Sequence, residues 1–180
     1  MNLAAAVQRF DDWADDQLEL VRGTPLADAV FTTASKLGEF SVIWHLTNVA
    51  RGATRVGTVE QIPVFAALVG AESLLVNQGI KRLFRRTRPT ESGDDRFPVR
   101  RPTTSSFPSG HASSAAFAAT VLTGWDGPRL APLWWTMATT VAVSRAYVRI
   151  HHGSDVVAGM ATGAVLGLLA RRLLQRADLA

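Results

Sequence analysis

Apolar residues along the chain fall into six stretches that are separated by polar joints. The first stretch, residues 3–21, repeats with the period of an α-helix, and most of its acids lie on the face opposite Val7, Phe10, Trp13, Ala14, Leu18 and Val21. Five more apolar segments follow, at roughly 38–50, 59–80, 109–124, 130–148 and 155–174. The pattern predicts an all-α fold, with an amphipathic N-terminal helix and a bundle of about five to six helices.

The length of the chain, 180 residues, suits a single domain over residues 1–180. Residues 1–24 would hold the amphipathic helix, and residues 59–174 would form the core that carries the motifs described below. Thr24 is a candidate N-cap and Pro25 a first helical residue, which marks the end of the N-terminal segment.

Three of the apolar segments approach the length of a membrane span: 59–80, 130–148 and 155–174. A span needs about 20 mostly apolar residues to cross roughly 30 Å of hydrocarbon. Polar residues such as Glu72 interrupt these segments, so a soluble bundle with buried helices stays open as an alternative. The number and length of the segments favour an integral-membrane helical bundle.

Two further patterns fit helix packing in lipid and equally in a soluble core. The last helix carries a stripe of small residues that would allow close approach of a neighbour: Gly159, Gly163 and Gly167. Near one end of two neighbouring helices lie three tryptophans that suit an aromatic belt or a packed core: Trp125, Trp134 and Trp135.

The composition adds charge to this picture. Hydrophobic residues make up 47% of the chain and charged residues 19%, and the formal charge is +4. Residues 1–39 hold seven acids against three bases, so the remainder is basic and suits nucleic acid, anionic lipid or phosphorylated substrates. The absence of cysteine excludes disulfides and thiolate metal sites. The acidic N-terminus predicts no signal peptide, and an acidic polar face is unusual for a helix that binds anionic lipid.

The polar joints hold the residues that can do chemistry. The joint from Lys81 to Phe107 carries eight bases in 27 residues, and residues 144–155 read SRAYVRIHHGSD. Nucleic-acid binding is one use of a basic run, but this run lies between apolar helices and has few aromatic residues. Short connections between antiparallel helices would bring both joints to one face of the bundle. Eight candidate residues share that face: Lys81, Arg88, Ser109, Gly110, His111, Arg145, His151 and Asp155.

This set has the chemistry of a phosphate site. Its three cations and the backbone N–H groups of a helix N-terminus favour an anion. Asp155 lies one helical turn after His151 and can orient its imidazole, which leaves the other ring nitrogen as a nucleophile. His111 can protonate the leaving oxygen. Because the cations take the place of a metal, we expect neither a metal nor another cofactor.

Three motifs resemble the signature of the type 2 phosphatidic acid phosphatase (PAP2) superfamily: Lys81-x6-Arg88-Pro89, Pro108-Ser109-Gly110-His111 and Ser144-Arg145-x5-His151-x3-Asp155. That superfamily also includes bacterial class A acid phosphatases and vanadium haloperoxidases. The resemblance spans residues 81–155 and implies a helical bundle with a phosphohistidine mechanism. It implies His151 as the nucleophile, His111 as the general acid and Asp155 as the group that orients His151. The phosphoryl oxygens would be bound by Lys81, Arg88, Ser109, Gly110 and Arg145.

Three positions next to the nucleophile depart from the family's pattern. Arg149 stands where the family often has Gly, His152 where an aromatic residue is common, and Gly153 where Pro is common. Two interpretations of Arg149 stay open, a surface residue or a contact to a second phosphate or lipid headgroup. His152 is interpreted as a neighbour of the site rather than as a second catalyst.

A short chain of apolar helices resembles the bacterial membrane lipid phosphatases of this superfamily. We therefore expect a metal-independent phosphatase that hydrolyses a lipid phosphate or diphosphate, polyprenyl or glycerolipid, through a phosphohistidine intermediate. One alternative is a vanadate-dependent haloperoxidase-like enzyme, with His151 as the vanadium ligand. Another is a non-catalytic anion-binding or transport protein of the membrane, against which the intact His111, His151 and Asp155 argue.

The expected partners are a lipid phosphate substrate and the membrane, without nucleic acid. The expected location is multi-pass in a bacterial plasma membrane. Charge does not fix the orientation, because six bases of the 81–107 loop outside the motif oppose six at the other end: Arg51, Arg55, Arg129, Arg171, Arg172 and Arg176. Family precedent favours an outward-facing site. The headgroup and the formation of a homo-oligomer stay open.

Overall fold

The computed structural model describes residues 2–54, 59–92, 96–100 and 102–179, so Arg55 and Arg101 of the charge counts lie outside it. The regular elements in these residues are helical. The α-helices are α1 (Leu3–Glu19), α2 (Pro25–Leu37), α3 (Val42–Thr54), α4 (Gln61–Leu74), α5 (Gly110–Asp126), α6 (Ala131–Tyr147) and α7 (Gly153–Arg176). A π-helical turn (Leu75–Gly79) and a 3₁₀ turn (Ile80–Leu83) extend α4, and further 3₁₀ turns cover Glu39–Ser41 and Pro89–Ser92.

Local sequence signals set several of the helix ends. Asn2 caps α1 by accepting the N–H of Ala4 at 3.1 Å, and Ser109 caps α5. His152 and Asp155 form a reciprocal capping box at the start of α7. Helix α2 was not among the predicted apolar segments, although the Thr24-Pro25 signal marks its first turn.

Helix α5 lies at the centre of the bundle, with α6 and α7 against it. Because the alanine side chains of α5 are small, the neighbouring helices can lie close to its backbone. Among these alanines, Ala115, Ala116 and Ala118 are fully buried. The glycine stripe of α7 faces α5, since a Cβ at Gly163 would overlap the carbonyl of Ser113. The stripe is therefore a packing contact within the chain. Trp134 is also buried in this core rather than exposed in a belt.

Two helical stretches in the described residues are long and apolar enough to cross a membrane: Gln61–Leu83, with mean hydropathy 1.3, and Gly153–Arg176, with mean hydropathy 1.5. Helices α5 and α6 have 17 residues each. That corresponds to about 26 Å at roughly 1.5 Å per residue, slightly less than a ~30 Å hydrocarbon core. Exposed leucines such as Leu74 and Leu173 give the outer surface an apolar character that suits lipid.

Helix α1 packs in a way that the hydrophobic pattern did not predict. Asp11 is buried at 3% exposure, whereas Phe10, Trp13 and Leu20 are exposed. Half-buried Ala14 shares the inward face with Asp11, because a Cβ at Gly153 of α7 would lie 2.8 Å from the Cβ of Ala14. The inward face therefore mixes acids with small apolar residues. The physical reason is the basic surface that it meets, where Arg86 pairs with Asp11 and Arg149 with Asp15.

Candidate active site

One end of the bundle holds a cavity of about 580 Å³ between the end of α4 and the two polar joints. Five of the eight predicted site residues line it: Lys81, Gly110, His111, Arg145 and His151. The other three lie directly behind this lining. Arg88 and Asp155 contact His151, and the backbone N–H of Ser109 donates to the Asp155 carbonyl at 3.0 Å. The structure thus brings all eight residues together.

His151 lies in the short loop between α6 and α7 and is 3% exposed. Its Nε2 is 3.2 Å from Arg88 Nη1, and its Nδ1 is 3.6 Å from Asp155 Oδ2. Because a guanidinium can only donate, Nε2 is the acceptor, which assigns the ring proton to Nδ1 on the Asp155 side. Burial, followed by the charges of Arg88 and Lys81, lowers the pKa of His151 to about 3, although Asp155 acts in the opposite direction. The ring is therefore neutral near pH 7, with a lone pair on Nε2.

The carboxylate of Asp155 is surrounded by donors in the first turn of α7, and its side chain is fully buried. Oδ2, the oxygen nearest His151, accepts from the Ser106 hydroxyl and from the backbone N–H of His152 at 2.9 Å. The other oxygen, Oδ1, accepts from Arg86 Nη1 at 2.6 Å. Sequence reasoning missed both Ser106 and Arg86. The carboxylate is consequently held by both oxygens.

Arg145 presents unused donors to the cavity. It is fully buried, and its Nη1 donates to the hydroxyl and the carbonyl of Ser35 on α2. Its Nε and Nη2 have no hydrogen-bond partner among the described residues, and neither has Nε2 of buried His111. Unpaired buried donors are costly, and native proteins keep few of them. Donors that line one cavity therefore indicate a site for an anionic ligand.

The N-terminus of α5 adds backbone N–H groups to this site. Ser109 caps the helix by accepting the N–H of Ala112 at 3.4 Å. At Gly110 a Cβ would lie only 2.7 Å from Asn77 Oδ1, so a larger residue would displace the side chain that extends from the end of α4. Asn77 also lines the cavity, and its Nδ2 donates to Ser73 at 3.1 Å.

Arg88 holds the loop in place and also contacts His151. Its Nε and Nη2 donate to the carbonyl of Thr104 at 3.2 and 3.0 Å, and Nη1 donates to the carbonyl of Ile150 at 3.0 Å. These bonds tie the chain before α5 to the chain before α7. Arg88 therefore holds the two histidine-bearing joints in register, a role that its spacing in the motif did not reveal.

Arg149 belongs to an ion-pair network with α1, and its side chain is 25% exposed. Its Nη2 lies 2.8 Å from Asp15 and 3.0 Å from Glu19. Hydrogen bonds from Arg96 and Arg22, together with the charge of Arg149, lower the pKa of Glu19 to about 2. The backbone of Arg149 has φ 54°, the left-handed region that glycine adopts most easily. The geometry explains the glycine that the family often has there.

A model of the PAP2 superfamily matches residues 62–178 of the chain. The chain belongs to this superfamily, and the prediction from its three motifs is confirmed. Among the described residues, no group of three or more His, Cys, Asp or Glu side chains is placed to hold a metal ion.

The chain is similar to known proteins in sequence and in structure. Decaprenylphosphoryl-5-phosphoribose phosphatase of Mycobacterium tuberculosis is 38% identical over 90 residues, which is 50% of this chain and 49% of that protein. The chain thus spans about half the length of the curated relatives it matches. A transmembrane PAP2 type phosphatidylglycerolphosphate phosphatase from Bacillus subtilis superposes with a TM-score of 0.73 at 25% identity, over 95% of this chain and 87% of that one. Aquifex aeolicus LpxE gives 0.67 at 25% identity, over 87% and 93%.

These structural neighbours confirm the predicted fold class, an all-α bundle of the integral-membrane type with an N-terminal helix.

Proposed function

We propose that the protein is a metal-independent phosphatase that removes phosphate from a membrane lipid through a phosphohistidine at His151. The observation that carries this proposal is a set of buried nitrogens without partners among the described residues, Arg145 Nε and Nη2 and His111 Nε2, on residues that line the cavity with His151. A phosphoryl group would satisfy these donors and accept further bonds from Lys81 and the N-terminus of α5.

In the first step, the Nε2 lone pair of His151 attacks phosphorus and forms a P–N bond. The P–O bond to the lipid breaks, and His111 transfers its Nε2 proton to the leaving oxygen. Asp155 stabilises the positive charge that develops on His151. The phosphate anion bound in the cavity favours the protonated form of His111 before the first step.

In the second step, water attacks the phosphorus of phosphohistidine. His111 takes a proton from that water, the P–N bond breaks and its electron pair returns to Nε2 of His151. Inorganic phosphate leaves, and His111 is protonated for the next cycle. The cations stabilise charge on the phosphoryl oxygens in both steps, which is the main task of the protein in phosphoryl transfer.

The shape of the cavity supports a lipid substrate. Beyond the site, its lining continues along α3 and α4 through His45, Val69, Gly70 and Leu74. Gly70 and Leu74 are exposed on the flank of the candidate span Gln61–Leu83. A prenyl or acyl chain would lie along this flank while the phosphate headgroup occupies the cavity beside His151.

A further cation of the cavity lining, besides Lys81 and Arg145, supports substrates with two phosphate groups. Arg100 lines the cavity and stacks over the ring of Phe40 at 5.4 Å. The compound after which the Mycobacterium tuberculosis relative is named, decaprenylphosphoryl-5-phosphoribose, carries a terminal phosphate and a second, bridging one. We propose polyprenyl-linked sugar phosphates and lipid diphosphates as the first substrates to try, followed by glycerolipid phosphates.

Phosphate release by the detergent-purified protein in EDTA tests this function. The panel is a polyprenyl-linked phosphosugar, polyprenyl pyrophosphate, diacylglycerol pyrophosphate, phosphatidic acid and a soluble aryl phosphate. We expect release that survives EDTA and falls by roughly 10⁴-fold or more in folded His151→Ala. A phosphoenzyme that is stable to alkali and labile to acid should be trapped in the wild type only. No release from any substrate, or full activity in His151→Ala, would contradict the proposal. Halide oxidation supported by vanadate would favour the haloperoxidase alternative.

We also propose a multi-pass topology in the bacterial plasma membrane with the site facing outward. The chain has no cysteine, so single cysteines report accessibility without background. Exposed positions are available at the site end, Gln17, and at the far end, Arg129. A membrane-impermeant maleimide should label Gln17→Cys in intact cells and Arg129→Cys only after permeabilisation. The reverse pattern would place the site inside.

A further inference from the structure

Arg86 connects the orienting carboxylate of the site to the N-terminal helix. Its Nη1 donates to Asp155 Oδ1 at 2.6 Å and to Ser154 Oγ at 2.7 Å, and its Nη2 lies 2.5 Å from Asp11 Oδ2. The backbone of Arg86 is held too, because its N–H donates to Ser105 Oγ at 3.2 Å and its carbonyl accepts from Ser106 at 3.0 Å. Arg86 lies in the spacer of the first motif, at a position that the motif does not specify.

Asp11 contacts both Arg86 and the first turn of α7. Its Oδ1 accepts the backbone N–H of Ser154 at 2.8 Å, and its Oδ2 accepts the Ser154 hydroxyl at 3.0 Å. The side chain is 2% exposed, so its charge has lost most of its water and depends on these partners. A single carboxylate from α1 therefore fixes the residue before Asp155 and the arginine that binds Asp155.

The two oxygens of Asp155 have different tasks. Arg86 holds Oδ1, which turns Oδ2 towards His151 Nδ1 at 3.6 Å. His152 Nδ1 lies 3.3 Å from the same Oδ2 and competes for it. If Arg86 lost its anchor on Asp11, the carboxylate could rotate, and the preferred tautomer and orientation of His151 would no longer be enforced.

The packing of α1 gives this link a fixed geometry. Ala14, one turn after Asp11, meets Gly153 so closely that a Cβ on Gly153 would lie 2.8 Å from the Ala14 Cβ. Asp15 and Glu19 continue the same side of the helix with ion pairs to Arg149. Helix α1 is therefore seated against the loop and the helix start that carry His151 and Asp155.

We infer that Asp11 is a positioning residue, which acts through Arg86 and Ser154 to hold Asp155 in the orientation that the nucleophile His151 requires. This inference rests on the proposed function. It assigns to α1, which lies outside the region matched by the family model, a part in the chemistry of the site.

Steady-state kinetics of Asp11→Asn test the inference. Asparagine keeps the shape and one acceptor for Ser154 but removes the charge and the second acceptor that Arg86 needs. We expect kcat to fall roughly 10- to 100-fold, as for other partners that orient a catalytic ligand. KM should change by less than about threefold, because substrate binding is not altered. The matched control is Asp16→Asn, the same change at an exposed position of α1, which should keep wild-type kcat.

A double-mutant cycle separates positioning from general destabilisation. Because Asp11→Asn keeps an acceptor for Ser154 and loses the contact to Arg86, kcat of Asp11→Asn combined with Arg86→Gln should equal that of Arg86→Gln within about twofold. Ala14→Leu is a second route, since the larger side chain would push α1 away from Gly153 while Asp11 stays intact. Ala14→Leu should also lower kcat and leave KM unchanged. If Asp11→Asn does not fold, this variant tests the positioning role by itself.

Three outcomes would overturn the inference. The first is a folded Asp11→Asn variant with wild-type kcat. The second is a double variant whose loss of kcat equals the product of the losses in Asp11→Asn and Arg86→Gln. The third is an Ala14→Leu variant with wild-type kcat. His151→Ala is assayed alongside. If it is inactive while Asp11→Asn is fully active, this inference alone fails. If His151→Ala stays active, the proposed function fails and this inference with it.

Discussion

Each end of the bundle contains a buried arginine, but the two guanidinium groups differ in how many of their nitrogens have hydrogen-bond partners. At the far end, every guanidinium nitrogen of Arg51 has a partner. Nε and Nη2 bind Asp126 at 2.8 and 2.6 Å, Nη1 binds Asn48 at 2.9 Å, and Nη2 also reaches Gln61 at 3.2 Å. The ring of Trp125 lies 5.3 Å from its Cζ. This arginine joins α3, α4 and α5, and each of its three nitrogens is bound within the chain.

At the site end, Arg145 is anchored through Nη1 only, and two of its nitrogens lack partners among the described residues. Folding alone would not favour such a group, because a buried unpaired donor costs about 1–3 kcal/mol and more when charged. Fully paired Arg51 is what a structural role requires. Partly paired Arg145 is what a binding role requires, since the ligand completes the pairing. The pairing of the buried guanidinium, rather than its burial, distinguishes Arg145 from Arg51.

The largest effect should follow from removing the unpaired arginine. Arg145→Leu should lower kcat/KM by about 10³- to 10⁵-fold, the range for an arginine that stabilises phosphoryl transfer. The melting temperature of the detergent-solubilised protein should hold or rise, because an uncompensated buried charge is replaced by an apolar side chain.

Arg145→Lys is the companion variant, which keeps the charge but loses the forked donors, and its activity should lie between the two. Loss of folding in Arg145→Leu with full activity in Arg145→Lys would contradict a binding role.

Breaking the pair at the far end should act on stability instead. Asp126→Asn removes the charge of the carboxylate that binds the buried guanidinium of Arg51, which should lower the free energy of unfolding by about 3–5 kcal/mol. The kcat of the protein that remains folded should stay within about twofold of the wild type. The measurements are thermal unfolding and activity per folded protein. A large loss of kcat at unchanged stability would mean that the far end is coupled to the site.

The sequence predicted which residues lie together at one end of the bundle better than it predicted the packing around them. The motif residues lie at helix ends, and antiparallel helices with short joints bring such ends together whatever their exact crossing angles. Ser109 and Asp155 could be placed because a helix start needs caps, so their local role and their site role coincide.

The supports of the site were missed because they are not local. Asp11 and Arg86 are 75 positions apart, and Ser35 and Arg145 are 110 apart. On a helical wheel the acids of α1 resemble a solvated face. The signal present in the sequence was the distribution of charge. Residues 1–39 hold seven acids against three bases, and residues 81–107 hold eight bases. Opposite charge on two segments indicates that they pair, but not which residues do so.

The sequence left the role of Arg149 open, because a residue pattern does not show the backbone conformation. A pattern of residues can show that the family often has Gly at this position, but it cannot show that the chain of this protein keeps the left-handed conformation with another residue in place. The structure shows φ 54° and a side chain that binds Asp15 and Glu19. The site end thus contains local strain two residues before His151 as well as unpaired donors, and strain of this kind clusters at functional sites.

The smallest effect should come from relieving that strain. Glycine usually destabilises a protein by about 0.5–1 kcal/mol relative to alanine, because it has more freedom in the unfolded chain. At position 149 the order should reverse, since a left-handed backbone costs an L-residue roughly 1–2 kcal/mol. Arg149→Gly should therefore be more stable than Arg149→Ala by about 1 kcal/mol in thermal or denaturant unfolding. Both variants lose the same ion pairs, which are about half exposed at the carboxylates and worth at most about 1 kcal/mol. Alanine at least as stable as glycine would show that the loop beside His151 is relaxed, and the two ends would then differ in charge pairing only.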